Sequence, residues 1–173
     1  MLLQIIVHTP KWVFAVFALL LWLGAKQLRA GRAGLGRITA TSLGMTGLSL
    51  AGVISAFGES AGALLGWGVA ALALALLVLQ APVPAGIRYA PATRSFELPG
   101  SAVPLALMMG VFFTKYAVGV ALAMHPELQR QAAFAVGIPM LYGAFSGIFA
   151  ARALRLWKLA ARSAALTAEA RSA

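Results

Sequence analysis

The stretch that decides the fold is SAVPLALMMGVFFTKYAVGVALAMHP, residues 101–126. It is apolar over almost its whole length, is long enough to cross a bilayer, and carries one charge, Lys115, well inside. The rest of the chain has the same character: 61% of its 173 residues are hydrophobic and 10% are charged, against about 25% in soluble domains. A chain this short has too little interior to hide that apolar surface from water. The sequence therefore predicts an integral membrane protein.

Four further apolar segments surround this stretch, and together they predict an all-α integral membrane fold, a bundle of five transmembrane helices in one domain, residues 1–173. The segment IRYAPATRSFELPG, residues 87–100, alternates apolar and polar residues on both sides of a turn. This alternation predicts a short cytoplasmic β-hairpin between helices 3 and 4, with a simple ordered loop as the alternative. The predicted helices are residues 10–28, 38–57, 62–80, 103–124 and 132–156, followed by a basic cytoplasmic tail, residues 157–173.

Small residues recur at every fourth position on helices 2, 3 and 5. Such stripes let membrane helices approach closely, because packing drives their association. We expect helices 2 and 3 to form a close hairpin, and the stripes leave open a homodimer or a membrane-protein partner. The stripes are Gly47, Ala51, Ser55 and Glu59 on helix 2, Gly62, Gly66 and Ala70 on helix 3, and Pro139, Gly143, Gly147 and Ala151 on helix 5.

The net charge of +10 comes from cations at the ends of the apolar segments. This distribution indicates membrane topology and argues against a nucleic-acid partner. If the loop between helices 1 and 2, the hairpin and the C-terminus share one side, that side holds 11 of the 14 Lys and Arg residues, while Lys11 and Arg130 lie on the other. The bias predicts an inner-membrane protein with its N-terminus outside and its C-terminus in the cytoplasm. The first helix lacks the flanks of a cleaved signal peptide, so we expect it to be retained.

Lys115 is the strongest candidate for a functional residue. A lysine near the centre of a membrane helix costs about 2.5–3.5 kcal/mol and usually has a partner inside the bundle. One interpretation is an anion, lipid-headgroup or proton-linked site; the other is a lysine that snorkels outwards along helix 4, with Gly119 leaving room. Its candidate partners are Glu59, Tyr116, Tyr142, Ser55 and Ser146.

The two histidines, His8 and His125, are expected at the outer surface. Facing each other they could ligate a b-type haem or, with Met124, a copper ion; interface polarity and helix capping are the simpler account. The chain has no cysteine, so disulfides and thiolate chemistry are excluded. It also lacks a phosphate-binding glycine loop, an H-E-x-x-H motif and a G-x-S-x-G motif. The expectation is a protein that is not an enzyme and holds no cofactor or metal.

Four segments carry a family resemblance: HTPKWVFA, IRYAPATRSFELPGS, PLALMMGVFFTKYAVGV and LYGAFSGIFAARALRLW. They resemble an uncharacterised family of small bacterial inner-membrane proteins, a domain of unknown function, over nearly the whole chain. The layout of the chain, but not its residues, is also similar to the CcdC-type membrane proteins named for association with cytochrome c biogenesis. The resemblance implies a compact helical membrane protein and assigns no activity or functional residue.

Three functions are compatible with these features. The first is a non-enzymatic accessory or interaction module that binds a partner or membrane lipid. The second is a small dimeric transporter or channel with Lys115 in its pathway. The third is a haem- or quinone-associated redox component that uses His8 and His125.

Overall fold

The computed structural model describes residues 10–58, 60–82, 86–90, 93 and 95–172, with side chains through residue 165. Five α-helices and three short β-strands follow one another along these residues. A 3₁₀ turn, Pro126–Arg130, joins the last two helices. In chain order the elements are α1 (Lys11–Lys26), β1 (Gly31–Gly34), α2 (Leu35–Phe57), α3 (Ala61–Gln80), β2 (Arg88–Ala90), β3 (Ser95–Leu98), α4 (Val103–Met124) and α5 (Ala132–Ser172).

Five helices confirm the predicted helical bundle, and four of those described are long and apolar enough to cross a membrane. α1 has 16 residues, or about 24 Å, and is shorter than predicted. Gly58 ends α2 with a φ of 63°, a left-handed conformation that glycine adopts without strain. The four candidate spans are Leu35–Phe57, Ala61–Gln80, Val103–Met124 and Ala132–Ala165.

The three strands form one antiparallel sheet in the order β1-β3-β2. The predicted hairpin of β2 and β3 is confirmed, with Tyr89 opposite Phe96. The segment between helices 1 and 2, predicted as a loop, instead contributes β1, which pairs with β3. Glycine and arginine give GRAG no strand propensity of its own, so its strand depends on this distant pairing. Phe96 is fully buried under the sheet, against Leu156 and Ala160 of α5.

The central helix of the bundle is α5, which packs extensively against both α3 and α2. Its predicted small-residue stripe is buried, as expected. A Cβ added to Gly143 would collide with the main-chain carbonyl of Trp67, and one added to Gly147 with that of Ala71. The backbones of α3 and α5 therefore touch, which requires glycine at these two positions.

The predicted close hairpin of helices 2 and 3 is wrong, because α3 packs mainly against α5 and has little contact with α2. Two of the three residues in the predicted stripe of α3 are used, against a different partner, while Gly62 is exposed. Gly66 faces Met140 and Val136 of α5, and Ala70 is buried.

The stripe predicted on helix 2 is not the packing face of α2. Gly47, Ala51 and Ser55 are exposed, and a Cβ on Gly47 would meet nothing within 4 Å. The buried residues of α2 are Ser42, Met45, Ser49 and Val53. The side of α2 that contacts α5 is therefore not the side that carries the predicted stripe of small residues.

α1 lies antiparallel along α4. Gly24 near the end of α1 contacts Leu105 in the first turn of α4, and the ring of Phe17 lies 5.2 Å from that of Phe112. The backbone N–H of Ser101 donates to the carbonyl of Gln27 at 2.8 Å. The end of α1 and the start of α4 are thus held together beside the sheet.

The predicted tail is not separate from the last helix, because α5 continues without interruption to Ser172. Beyond the apolar part of α5, Leu156 and Ala160 pack under the sheet. The indole N–H of Trp157 donates to Oγ1 of Thr39, in the second turn of α2, at 2.8 Å. The loop between α1 and α2, the hairpin of β2 and β3, and the basic part of α5 therefore lie at one end of the bundle, as the sequence predicts.

Candidate functional site

Lys115 lies near the middle of α4, twelve residues after Val103 and nine before Met124. This spacing puts its Cα about 18 Å along the helix. Leu48 is thirteen residues into α2, about 20 Å from the same end of the bundle. The two residues are therefore at similar depth on neighbouring helices.

The amine of Lys115 bridges α4 to α2 and α5. Its Nζ donates a hydrogen bond to the main-chain carbonyl of Leu48 at 3.0 Å. It also lies 4.8 Å from the centroid of the Tyr142 ring, within cation–π range. Gly52, one turn after Leu48, leaves the carbonyl open, because a Cβ there would collide with Nζ. The positive charge is thus answered by a carbonyl dipole and an aromatic face.

A second polar cluster joins α2, α3 and α5 beside Lys115. Oγ of Ser49 donates to the main-chain carbonyl of Tyr142 at 2.9 Å and accepts from the indole N–H of Trp67 at 3.1 Å. Oγ of Ser146 donates to the same carbonyl at 3.0 Å. Hydrogen bonds of this kind contribute about 0.6–2 kcal/mol each between membrane helices. The hydroxyl of Ser49 therefore joins three helices, while the bond of Ser146 stays within α5.

Among the candidate partners of Lys115, Tyr142 contacts the amine, while Ser146 and Tyr116 have other contacts. Tyr142 contacts the amine through its ring. Ser146 is close in the bundle but bonds to the carbonyl of Tyr142. Tyr116 follows Lys115 on the helix and stacks on Phe112, with ring planes 5° apart.

The remaining candidates do not join the site in the described part of the chain. Ser55 lies on the exposed side of α2 and makes no hydrogen bond to Lys115. Glu59 lies outside the described residues. In this structure the amine bonds to the carbonyl of Leu48, and the space beside Gly119 is open. The snorkelling alternative stays a prediction.

His125 follows α4, and its Nδ1 lies 2.9 Å from Oε1 of Glu127, with both side chains exposed. A hydrogen bond from the backbone N–H of Glu127, and then the His125 ring, lower the pKa of this carboxyl. His8 lies outside the described residues. Within the described ranges, no three histidine, aspartate or glutamate side chains are grouped as a metal site would require. The expectation of no cofactor or metal stays a prediction, as does its alternative, a haem or copper site on the two histidines.

The end of the bundle that carries the sheet is strongly basic. Glu97 on the central strand lies between Arg32 of β1 and Arg88 of β2 in the register. Nη2 of Arg32 is 2.9 Å from Oε1 of Glu97, an exposed pair that adds little stability. A shallow depression of about 350 Å³ opens beside it. We call this end the basic platform: the three strands with Lys26, Arg29, Arg32, Arg37, Arg88, Arg152, Arg155, Lys158 and Arg162.

Sequence reasoning missed the residues that hold Lys115 and its neighbours. The sequence did not predict a packing role for Gly52, because this residue lies outside the regular four-residue spacing of the Gly47 stripe. Ser42 and Ser49 are seven residues apart, and thus on one face, and this polar pair was the signal for the inner side of α2. Trp67 gave no signal, because an indole N–H reveals its partner only when the helices are packed.

A family model described as a family of unknown function, DUF6622, matches residues 1–167. Comparison with curated proteins and with solved structures finds no match to the chain. The resemblance to an uncharacterised family is therefore confirmed, while the bacterial origin and the likeness to CcdC-type proteins stay predictions. The matched residues include the four apolar helices, the buried polar cluster and the basic platform. The chain belongs to the DUF6622 family.

Proposed function

We propose that this protein is a non-enzymatic, multi-pass protein of the inner membrane that acts as an accessory or interaction module and binds a partner or lipid at its basic platform. The observation that carries the proposal is the sheet, which draws two loops and the end of α5 into one basic surface. Such a surface presents many cations to an anionic partner in a fixed arrangement.

The polar groups deeper in the bundle support this division of roles. Ser49, Ser146 and Trp67 bond within the bundle, and Lys115 bonds to the carbonyl of Leu48. The bonds of Ser49, Trp67 and Lys115 join helices, as is common in membrane proteins, and that of Ser146 lies within α5. The platform, in contrast, has a large excess of cations over its described acid, Glu97.

The same excess supports a cytoplasmic position for the platform. Cytoplasmic loops of membrane proteins are enriched in Lys and Arg, and the cytoplasmic leaflet carries anionic lipids. In this orientation the N-terminus lies outside and the C-terminus inside. The platform then faces both the headgroups and soluble or membrane-bound protein partners.

The experiment is a native purification in a polymer that keeps surrounding lipid, followed by native mass spectrometry. We expect a retained protein or anionic lipid, and we expect its loss when Arg29, Lys158 and Arg162 are all replaced by Gln. The matched control replaces Lys11 and Arg130, exposed cations at the opposite end, and should retain it. Equal retention by both variants would overturn the proposal.

A second candidate, a small dimeric transporter or channel, is favoured by the depth of Lys115. Its amine lies at mid-membrane level and has no carboxylate partner among the described residues. An anion or substrate passing along α4 would meet this charge. Flux of a labelled anion into proteoliposomes that is abolished by Lys115→Met would support this candidate, and no flux above empty liposomes would exclude it.

A further inference from the structure

Arg155, on α5 at the basic platform, has an unusual guanidinium. Its Nε and Nη2 are both buried and have no hydrogen-bond partner in the part of the chain that the structure describes. These two nitrogens form one edge of the guanidinium, and their N–H bonds point the same way. That edge matches two oxygens of a phosphate or carboxylate group in a bidentate pair.

An unpaired arginine edge in a buried position is unfavourable. A buried donor without a partner loses its bonds to water, and a charge without a partner loses more. Native structures therefore rarely leave such groups unsatisfied, and an exception points to a missing ligand. Arg155 as a whole is only partly buried, so its side chain lies at the boundary between the interior and the surface.

Among the described residues, the surroundings of Arg155 supply more positive charge and no free acid. Arg152 lies three residues before Arg155 on α5 and Lys158 three residues after it, so each is a neighbour of Arg155 on the helix surface. Glu97, the acid described at this end, is engaged by Arg32 at 2.9 Å. The partner of the Arg155 edge must therefore come from outside the described chain.

The exposed apolar side chains in the same turn of α5 as Arg155 distinguish a lipid from a free anion. Leu154 and Trp157, in the same turn, are 48% and 49% exposed. The indole N–H of Trp157 bonds to Thr39, and tryptophan characteristically lies at the level of the headgroups. A ligand here meets cations and apolar surface together, which fits a phosphate attached to acyl chains.

We propose that Arg155, assisted by Arg152, binds the phosphate group of an anionic phospholipid at the rim of the basic platform. This inference rests on the proposed function and deepens it, by assigning the platform a specific ligand class and a principal residue. The lipid occupies the boundary between the sheet and the bilayer, with its phosphate on the Arg155 edge and its chains against Leu154 and Trp157.

The test measures binding of phosphatidylglycerol to the delipidated full-length protein in detergent, by native mass spectrometry and by the shift in thermal unfolding. Arg155→Gln should weaken binding at least tenfold, and Arg155→Lys should weaken it similarly, because lysine keeps the charge but loses the two-nitrogen edge. Arg130→Gln, an exposed cation at the opposite end of the bundle, is the control and should change binding less than twofold. Arg162→Gln, a platform cation on the same helix, should weaken binding much less than Arg155→Gln does.

The possible outcomes separate this inference from the proposed function. Equal weakening by Arg155→Gln and Arg162→Gln overturns the Arg155 site but leaves a lipid-binding platform. Full competition by inorganic phosphate at equal concentration overturns the lipid as ligand. Retention of a protein partner without any phosphatidylglycerol binding overturns the inference and keeps the interaction module. If Arg155→Gln does not fold, the Arg155→Lys measurement decides alone.

Discussion

The amine of Lys115 on α4 donates a hydrogen bond to the main-chain carbonyl of Leu48 on α2, 3.0 Å away. This carbonyl also belongs to the helical ladder of α2, in which the N–H of Gly52 is its regular partner. Lys115 therefore adds a second bond to a carbonyl that is already satisfied. The interaction joins two helices without either one depending on it for its own hydrogen bonds.

The first prediction concerns the stability of Lys115→Met. No buried group loses its only partner, and the cost of holding an amine inside the bundle disappears. We expect the free energy of unfolding in detergent to change by less than about 1 kcal/mol or to increase. Lys11→Met, at an exposed position on α1, is the control. A loss of several kcal/mol for Lys115→Met alone would show that the amine is essential to the fold.

The second prediction concerns the contact of α3 with α5. Gly143→Ala places a methyl group against the main-chain carbonyl of Trp67, which cannot move without shifting the helix. We expect a loss of about 1–3 kcal/mol in stability, measured by chemical or thermal unfolding. Gly137→Ala, on the same helix with open space around it, should leave stability unchanged. Equal tolerance of both substitutions would contradict the close approach of these helices.

The third prediction tests the buried hydroxyl of Ser49. Ser49→Ala leaves the indole N–H of Trp67 without its partner and removes a bond to the carbonyl of Tyr142. We expect a loss of about 1 kcal/mol, together with a shift in tryptophan fluorescence. Ser55→Ala, on the exposed side of the same helix, should be silent in both measurements. The opposite result would mean that α2 is rotated relative to this structure.

The fourth prediction concerns orientation, which the absence of native cysteine makes simple to measure. Gln131→Cys lies between α4 and α5, and Ala161→Cys lies near the platform; both positions are exposed. In intact cells we expect a membrane-impermeant maleimide to label the first, and to label the second only after permeabilisation. Reversed labelling would place the platform outside, and labelling of both on one side would contradict a membrane-spanning α5.

The sequence predicted the helices well, because length and hydropathy decide where a membrane helix lies. It did not predict the packing face of α2. In a soluble helix the apolar stripe marks the core, but in a bilayer both the lipid-facing and the packed sides are apolar. Gly47 and Ala51 therefore looked as suitable for packing as Ser49 and Val53, and only the arrangement of α5 decides between them.

The candidate site was predicted in part for a related reason. The cost of a buried amine singles out Lys115 whatever the packing, and an aromatic partner such as Tyr142 can be guessed from composition. The main-chain carbonyl of Leu48 cannot be guessed, since every residue has one. Gly52 gains its role only because it lies one turn away from that carbonyl, facing α4.

The pairing of β1 with β3 constrains how the protein is made. Arg32 and Glu97 are 65 positions apart, and the whole α2–α3 segment is translated between them. After β1 has left the ribosome, two more helices must therefore be inserted before β1 can pair with β3. The sheet therefore forms late in biogenesis and holds together a bundle whose helices are already inserted. In a nascent chain stalled before β3, the segment of β1 would have no strand to pair with.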